Sequence, residues 1–326
     1  MTANISAHVA PRTGRPSFAH QACLYGTDDE FLAAAVPFVS DGLASGEPVA
    51  AITTSANLDL LNRALGPRAG GLDYAETAYF GRRPARRVAA FDRYLKRHSR
   101  RAGQVRILAE PAWTGRSERE IRAWKRMEAS LNLIFADTSM WMVCPYDTRL
   151  LRPDIVADAC RTHPFTVAGR DALPSAGYTD PAAFTGRCDA VPLRPAPGNA
   201  TAMTFAGDLA GLRHFVHAEV TAHGVAGDDA ALFVIAVAEA ASYVGRGGGH
   251  VAVTVWETPG AIICDLHRAG GRLADPLLGL RPAEVEQPRS SDGLWLASQV
   301  CELVETRSTD AGCTVRLRVR TARAIG

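Results

Sequence analysis

The sequence predicts an α/β protein of two domains: a parallel sheet with helices on both faces, then a sandwich of one sheet and one helical layer. Strands and helices alternate along residues 20–167, which is typical of a parallel sheet. Pro192, Pro195 and Pro197 follow within six residues and predict an extended linker. Beyond the linker the predicted order is helix, helix, hairpin, helix, hairpin, which favours the sandwich. At 326 residues and 47% hydrophobic content, the chain is long enough for two cores.

These patterns divide the chain into four parts. Residues 1–18 are polar and marked by proline and glycine, so we expect a mobile tail. The first domain then covers residues 19–190, the linker residues 191–201, and the second domain residues 202–326.

In the first domain, short apolar runs predict strands and one-sided apolar spacing predicts helices. Residues 20–25 predict the first strand. Thr27, with Glu30 three residues later, predicts a capping box for a helix that runs to about residue 44. The further predictions are strands at residues 48–53, 105–109, 140–144 and 165–167, and helices at residues 55–65, 86–101, 118–135 and 153–161.

In the second domain, glycines mark the ends of the predicted elements. Gly224 ends a first helix, and a glycine run at residues 247–249 ends a second one, which carries Glu239 on an otherwise apolar stretch. Pro259 and Gly260 predict the turn of a hairpin. The predicted elements are an edge strand at residues 203–205, helices at residues 209–223, 230–246 and 293–301, and strands at residues 250–256, 261–266, 304–307 and 314–319.

Composition excludes several classes of function. The net charge of +2 and the pI of about 8.2 give no electrostatic case for nucleic acid. No apolar run is long enough to span a bilayer, and the N-terminus lacks the core of a signal peptide. The seven cysteines are scattered and contain no C-x-x-C pair, which indicates reduced thiols. We therefore expect a cytoplasmic protein that binds neither nucleic acid nor membrane.

Five short motifs of the first domain occur in an order that resembles the MEDS (DcmR-type) sensory family. The motifs are His20 with Tyr25, GLASGEPV at residues 42–49, EPAW at 110–113, CPYD at 144–147 and THP at 162–164. The resemblance implies a RecA-like domain that senses a small molecule and takes part in signal transduction. The chain contains no G-x-x-x-x-G-K-[ST] phosphate-binding loop, so we do not expect this domain to hydrolyse nucleotide.

The candidate sensory site lies at the carboxyl ends of the strands, where folds of this kind bind ligands. Three interpretations stay open: a metal site, a small organic ligand over Trp113 and Tyr25, and a purely structural role in which Glu110 pairs with an arginine. The metal interpretation uses His20, Glu110, Cys144 and His163, all permissible ligand types. The full set of candidates is His20, Tyr25, Glu110, Trp113, Cys144, Tyr146, Asp147 and His163.

Four stretches of the second domain resemble the actinobacterial anti-sigma-factor serine kinases, which have a GHKL (HATPase, Bergerat-type) fold. They are LRHFV at residues 212–216, DPLLG at 275–279, GLWLASQVCELVE at 293–305 and GCTVRL at 312–317. The resemblance implies that Glu239 is the general-base position. It also implies a nucleotide pocket at Glu239, Tyr243, Asp265, Arg268, Gly270, Asp292 and Gly293.

Three of these positions depart from the family pattern. Tyr243 replaces the asparagine that helps to hold Mg²⁺, Arg268 replaces the aspartate that binds adenine, and Asp292 replaces a glycine of the phosphate turn. Glu239 cannot transfer a phosphoryl group without a positioned, metal-bound triphosphate. We therefore expect a pseudokinase without a cofactor, in which Glu239 either pairs with Arg246 or Arg268 or serves as a cap near the glycine turn.

The whole chain is then expected to be a regulator of transcription that works by partner switching. The resemblance implies a homodimer whose partner is a sigma factor or a STAS-type antagonist. The alternative is an active ATP- and Mg²⁺-dependent serine kinase in which Asp265 or Asp292 replaces the lost contacts. A further alternative makes the second domain only a dimerisation module, with all specific binding in the first.

Overall fold

A computed structural model describes residues 17–99, 103–246, 248–273, 275–284 and 286–321. The chain forms two compact units, Met1–Thr185 and Gly186–Gly326. The predicted linker at residues 191–201 lies in the second unit. Most of the predicted tail lies outside the described residues. Phe18, at its end, donates a backbone hydrogen bond to the Ala136 carbonyl oxygen at 3.2 Å.

The first unit alternates strands and helices, as its pattern predicts. The strands are β1 (Ala19–Tyr25), β2 (Val49–Thr53), β3 (Asp73–Glu76), β4 (Val105–Ala109), β5 (Met140–Asp147), β6 (Phe165–Ala168) and β7 (Asp171–Pro174). The helices are α1 (Asp28–Ala44), α2 (Ser55–Leu65), α3 (Pro84–His98), α4 (Glu118–Ile134), α5 (Pro153–Thr162) and α6 (Pro181–Asp189), with a 3₁₀ turn at Gly66–Gly71.

The seven strands form one sheet in the order β3-β2-β4-β5-β1-β6-β7. All neighbouring pairs are parallel except β6 and β7. The sheet is therefore mostly parallel, as predicted. In the pairing of β1 with β5, Ala22 lies opposite Cys144, and this register brings the middle of both strands together.

Helices cover both faces of this sheet. On one face, α1 and α2 pack on Cys23, Tyr25 and Val143 to form a hydrophobic core. Because side chains alternate along a strand, His20 and Ala22 lie on the opposite face. That face carries α4, which pairs its buried Glu128 with His20 at 3.7 Å. The face of α4 is the one that holds the cluster of His20, Cys144 and His163 described below.

Some details of the first unit differ from the predictions. Thr27 accepts a hydrogen bond from the Glu30 amide, but the Glu30 carboxylate accepts from Gly26 instead of Thr27, so the capping box is only half formed. Strand β5 continues past its predicted end at Cys144, through Pro145 to Asp147. The edge strands β3 and β7 and the helix α6 were not predicted, because β3 and β7 are short and mostly exposed.

The second unit contains an antiparallel sheet and helices. Its elements are β8 (Thr201–Phe205), α7 (Leu209–Ala222), α8 (Gly227–Val244), β9 (Val251–Thr258), β10 (Ala261–Ala269), α9 (Asp292–Val300), β11 (Leu303–Thr309) and β12 (Gly312–Arg320). The strand order is β11-β12-β10-β9-β8, which puts β8 at an edge, as predicted.

One face of this sheet packs on the helices. Ile262, Cys264 and Leu266 alternate along β10 and join a core with Phe233 of α8 and Leu294 of α9. Helix α8 ends at Val244, two residues before its predicted end, and Gly245 is its C-cap. Of the predicted glycine run, Gly247 lies outside the described residues. No helix in the described ranges is both long and apolar enough to cross a membrane.

Candidate functional site

Two groups of buried polar residues lie in the first unit, and five of the eight predicted site residues contribute to them. Tyr25 is the last residue of β1, and Glu110 directly follows β4, so both lie at the carboxyl ends of these strands. His20, Cys144 and His163 instead meet on the other face of the sheet, beneath α4. The sequence predicted one site, whereas the structure brings these residues together as two clusters.

The Glu110 carboxylate is held by neutral side chains. The Asn57 amide donates to Glu110 Oε2 at 2.9 Å and to the Tyr25 hydroxyl oxygen at 2.9 Å. The Tyr25 hydroxyl donates to Glu110 Oε1 at 3.4 Å, and the Thr53 hydroxyl donates to Oε2. Burial, followed by the Glu110 charge, raises the pKa of Tyr25 above its usual range. The group is a closed network of donors around one carboxylate.

An arginine does lie beside Glu110, although not where the structural interpretation predicted it. Arg87 donates to the carbonyl oxygen of Glu110 at 2.9 Å and to the Thr77 hydroxyl at 3.1 Å. Its guanidinium also lies 5.4 Å from the centre of the Trp124 ring. Arg87 is fully buried, and it ties the end of β4 to α3 through the main chain rather than through the Glu110 side chain.

The second cluster joins His20 of β1, Glu128 of α4, Cys144 of β5 and His163, the C-cap of α5. One potential ligand atom from each residue lies within 4.8 Å of the other three. His20 Nε2 is 3.5 Å from Cys144 Sγ, and both histidine Nε2 atoms are 3.7 Å from Glu128 Oε2. Glu128 therefore takes the place that the predicted metal set gave to Glu110.

Hydrogen bonds fix the orientation of both imidazole rings. His20 Nδ1 lies 3.2 Å from the Asn132 amide oxygen, and His163 Nδ1 lies 2.8 Å from the Ala159 carbonyl oxygen. A carbonyl oxygen only accepts, so the proton of each ring is on Nδ1. Asn132 is itself fixed, since its amide nitrogen donates to the Thr162 carbonyl oxygen at 2.8 Å. Both Nε2 atoms therefore carry lone pairs.

Burial dominates the protonation of the second cluster. It lowers the pKa of His20 and of His163 to about 3, so that both rings are neutral at neutral pH. Burial also raises the pKa of the Glu128 carboxyl and raises that of the Cys144 thiol well above its ordinary value. His163 Nε2 and Glu128 Oε2 are buried without a hydrogen-bond partner.

The remaining predicted residues have separate neighbours. The Trp113 ring lies 6.2 Å from the Tyr146 ring, which is itself 5.6 Å from His163. The Tyr25 ring contacts Phe31 instead. Trp113 and Tyr25 therefore do not form one aromatic wall for the predicted organic ligand.

Asp147 lies at the end of β5 and accepts three hydrogen bonds from Arg149, one from its backbone amide at 2.9 Å and two from its guanidinium at 2.9 and 2.8 Å. These bonds lower the pKa of the Asp147 carboxyl. Its charge is therefore already compensated within the same turn.

Sequence reasoning missed Glu128, Asn57 and Asn132. Glu128 was detectable, because it stands four residues after Trp124 and seven after Ile121, on the buried side of α4. An acidic residue at a core-facing helix position needs a partner. Asn57 lies in the first turn of α2 and gave no signal of its own.

In the second unit, two acidic side chains meet the start of α9. Glu239 is exposed on α8, and a Cβ built on Gly293 would lie 2.7 Å from its carboxylate. Asp292 accepts from the Arg289 amide at 2.8 Å and pairs with the Arg289 guanidinium at 3.3 Å. The predicted pairing of Glu239 with Arg246 or Arg268 is not among the contacts of the described residues.

The other pocket positions lie apart from α9. Arg268 donates to the Arg246 carbonyl oxygen after the end of α8. Burial, and then the charge of Asp275, raises the pKa of the half-buried Tyr243. Gly270 has a φ of 66°, a left-handed conformation that suits glycine.

Asp265 belongs to the other face of the sheet. It alternates with the core residues Cys264 and Leu266 and forms a bidentate pair with Arg316, at 2.6 and 2.7 Å. The helices pack on the opposite face, so Asp265 does not reach the positions of Tyr243 and Glu239 in this conformation.

Comparison with known proteins finds a family that is similar to the first unit. Residues 19–164, less than half of the chain, match the model of the family described as MEDS: MEthanogen/methylotroph, DcmR Sensory domain. This match confirms the resemblance predicted from the five motifs and indicates a sensory role in signalling. No curated protein matches the chain.

Proposed function

We propose that this protein is a signalling regulator in which a MEDS sensory domain acts through a GHKL-type domain that no longer binds ATP. The match of residues 19–164 to the sensory family is the observation that carries the signalling role. The anti-sigma resemblance of the second domain adds the output: a sigma factor or a STAS-type antagonist is the proposed partner. The first domain is proposed to be RecA-like and to respond to a bound ligand.

The charge at the start of α9 supports the loss of ATP. A helix N-terminus attracts anions, and GHKL domains use one to receive phosphates. Here the carboxylate of Asp292 lies in the first turn of α9, and that of Glu239 lies beside Gly293. Two internal anions already occupy the favourable position, and both repel a triphosphate.

The contacts of Arg268 and Tyr243 support the same conclusion. Adenine offers an amino group that needs an acceptor, whereas the Arg268 guanidinium is a donor without an acceptor. It is directed at the Arg246 carbonyl oxygen, and a Cβ at Gly271 would lie only 2.5 Å from Arg268 Nε. The guanidinium therefore fills the space beside Gly271, and the Tyr243 ring packs against the core of the unit.

Exposed apolar residues on α8 support a protein partner or a homodimer. Leu232 and Ile235, one turn apart, are 43% and 45% exposed. Replacement of both residues by aspartate in the double variant Leu232→Asp, Ile235→Asp is expected to give a monomer, measured by light scattering. Leu173→Asp, at another exposed leucine, is the control and should leave the mass unchanged. A natural protein that is already monomeric contradicts the dimer proposal alone.

The test of the whole proposal is a calorimetric titration of ATP and ADP, each with Mg²⁺, into the full-length protein. We expect no binding heat up to about 1 mM nucleotide, which corresponds to a binding free energy weaker than about −4 kcal/mol. The double variant Tyr243→Asn, Arg268→Asp is titrated beside it. A gain of binding in the variant would assign the loss to these two side chains.

Micromolar binding by the natural protein would contradict the proposal and favour the serine-kinase alternative. In that case Asp292→Gly should strengthen ATP binding if the Asp292 carboxylate repels phosphate. If the carboxylate has instead become a ligand for the metal, Asp292→Ala should weaken ATP binding. Phosphorylation of a serine in a STAS-type substrate then becomes the decisive assay.

A further inference from the structure

The cluster of His20, Glu128, Cys144 and His163 is built from parts of the chain that are distant in sequence. Parallel pairing of β1 with β5 places Ala22 opposite Cys144, so that His20 and Cys144 lie two positions apart on one face. Helix α4 then covers this face with Glu128, and α5 ends at His163. None of the four residues exposes more than 2% of its surface.

Both histidines are presented in the manner of metal ligands. Each donates its Nδ1 proton to a carbonyl oxygen, that of Asn132 or Ala159, and turns Nε2 toward the Glu128 carboxylate. Metal-binding histidines almost always have such a second hydrogen bond, which fixes the tautomer and the ring plane. The rings lie close together, with their centroids 3.9 Å apart.

The cluster contains polar atoms that the protein itself leaves unsatisfied. His163 Nε2 and Glu128 Oε2 are fully buried and lack a hydrogen-bond partner. Burial of a polar atom without a hydrogen-bond partner is costly, and such atoms in folded proteins call for a specific reason. The nearest buried cation, Arg87, donates its hydrogen bonds to Thr77, Phe80 and Glu110. A cation between the four ligand atoms would satisfy both orphaned atoms at once.

We propose that His20 Nε2, His163 Nε2, Cys144 Sγ and Glu128 Oε2 bind one divalent transition-metal ion, zinc in the first instance. Four-coordinate zinc with nitrogen, oxygen and sulfur ligands requires ligand atoms about 3.3–3.6 Å apart. The distances here are 3.5 Å for nitrogen to sulfur and 3.7 Å for each nitrogen to oxygen. The other three pairs of ligand atoms lie within 4.8 Å, so some separations must shorten by up to about 1.5 Å to close the shell.

The chemistry of the donor set also suits zinc. Metal binding releases the protons of the thiol and the carboxyl group, and the resulting thiolate and carboxylate balance the two charges of the ion. The two imidazoles add no charge, so the ion and its four ligands are neutral together. Neutrality matters because an isolated charge in this interior would be costly. With four protein ligands the ion has no open position, which indicates a firmly held ion rather than a catalytic one.

The site extends the proposed function by naming a ligand for the sensory domain, and it rests on that proposal only for its role as a signal. If the natural protein binds ATP, the proposed function is contradicted but the zinc site is not. If it does not bind zinc, the zinc site is contradicted but the conclusion about ATP is not. The competing arrangement is a metal-free polar core in which a protonated Glu128 lies between the histidines.

The experiment measures the zinc content of the full-length protein by elemental mass spectrometry, after the metal has been removed with a chelator and zinc has been added back. We expect one zinc per chain. In Cys144→Ser we expect zinc affinity to fall by more than 100-fold, beyond the roughly 10–100-fold expected for loss of a supporting side chain. Cys23→Ser is the matched control, since Cys23 is also buried but packs on the α1 face of the sheet. It should bind zinc as the natural protein does.

Two further measurements keep the proposal open to refutation if a ligand variant unfolds. Asn132→Leu leaves all four ligands in place and removes the amide group whose oxygen orients His20 and whose nitrogen donates to the Thr162 carbonyl oxygen, so zinc affinity should fall by roughly 10–100-fold. Cobalt loaded in place of zinc should show a thiolate charge-transfer band that Cys23→Ser retains. Failure of the natural protein to bind zinc stoichiometrically, or equal affinity in folded Cys144→Ser, overturns the proposal.

Discussion

Truncation of Glu110 tests how the carboxyl end of the sheet is held together. Glu110→Ala removes the only carboxylate of the network and leaves the hydroxyl donors of Thr53 and Tyr25 without it. The Asn57 amide keeps a partner, because it also donates to the Tyr25 oxygen. Two buried donors lost at about 1–3 kcal/mol each give a destabilisation of roughly 2–6 kcal/mol.

Thermal unfolding followed by circular dichroism measures this loss. For a unit of this size, each kcal/mol corresponds to about 2–4 °C, so the transition of the first unit should fall by at least about 4 °C. Glu110→Gln keeps one acceptor oxygen and should lose less than half as much. Glu76→Ala, at the end of the neighbouring edge strand, is the control and should change little. If Glu110→Ala melts within about 1 °C of the natural protein, the network does not stabilise the unit as argued.

Two further predictions concern the same unit. Gly81 has a φ of 57°, and an added Cβ would lie 2.4 Å from Arg87 Cα. Gly81→Ala should therefore cost clearly more in urea unfolding than Gly46→Ala, which has a φ of 70° but open space, and where only about 1–2 kcal/mol of backbone strain is expected. Equal losses would exclude the clash. Asp147 has its pKa lowered from 3.8 by Arg149, so its contribution to stability is present above that pH and is lost as the pH falls through the folded pKa. The stability advantage over Asp147→Asn should shrink below pH 3.8, and a constant difference from pH 6 to pH 3 would contradict the pairing.

The sequence predicted the order of the elements well, because that order depends on local periodicity. Residues 55–65 and 105–109 carry clear helix and strand patterns, and the structure reproduces them without change. The edge strands β3 and β7 escaped, since edge strands are short and half exposed and lack an apolar signature. Pro145 hid the end of β5, because proline cannot donate to the ladder and is typical of a strand end.

The candidate site was harder to predict, because it depends on which strands are neighbours. The structure brings His20, Cys144 and His163 together, but residues near the ends of strands do not reveal in the sequence which face they belong to. Glu110 ends on the network side, and Glu128 of α4 joins the histidines instead.

A carboxylate on the buried side of a helix needs a partner, and in this chain that residue is Glu128 of α4 rather than Glu239 of α8. Glu239 is exposed on α8, whereas Glu128 is buried on α4. Helix α4 carries many other charges, such as Lys125 and Arg126, and they conceal the one acidic residue on its buried side. The position within the helical period, and not the number of charges on the helix, decides that Glu128 is buried and Glu239 is exposed.

The most direct measurement is a crystal structure of the zinc-loaded full-length protein with anomalous data collected at the zinc edge. We predict one anomalous peak in the first unit, about 2.0–2.3 Å from His20 Nε2, His163 Nε2, Cys144 Sγ and a Glu128 oxygen. A map without a peak at this position, with the Glu128 carboxyl hydrogen-bonded to a histidine ring, would contradict the metal site and establish a metal-free polar core.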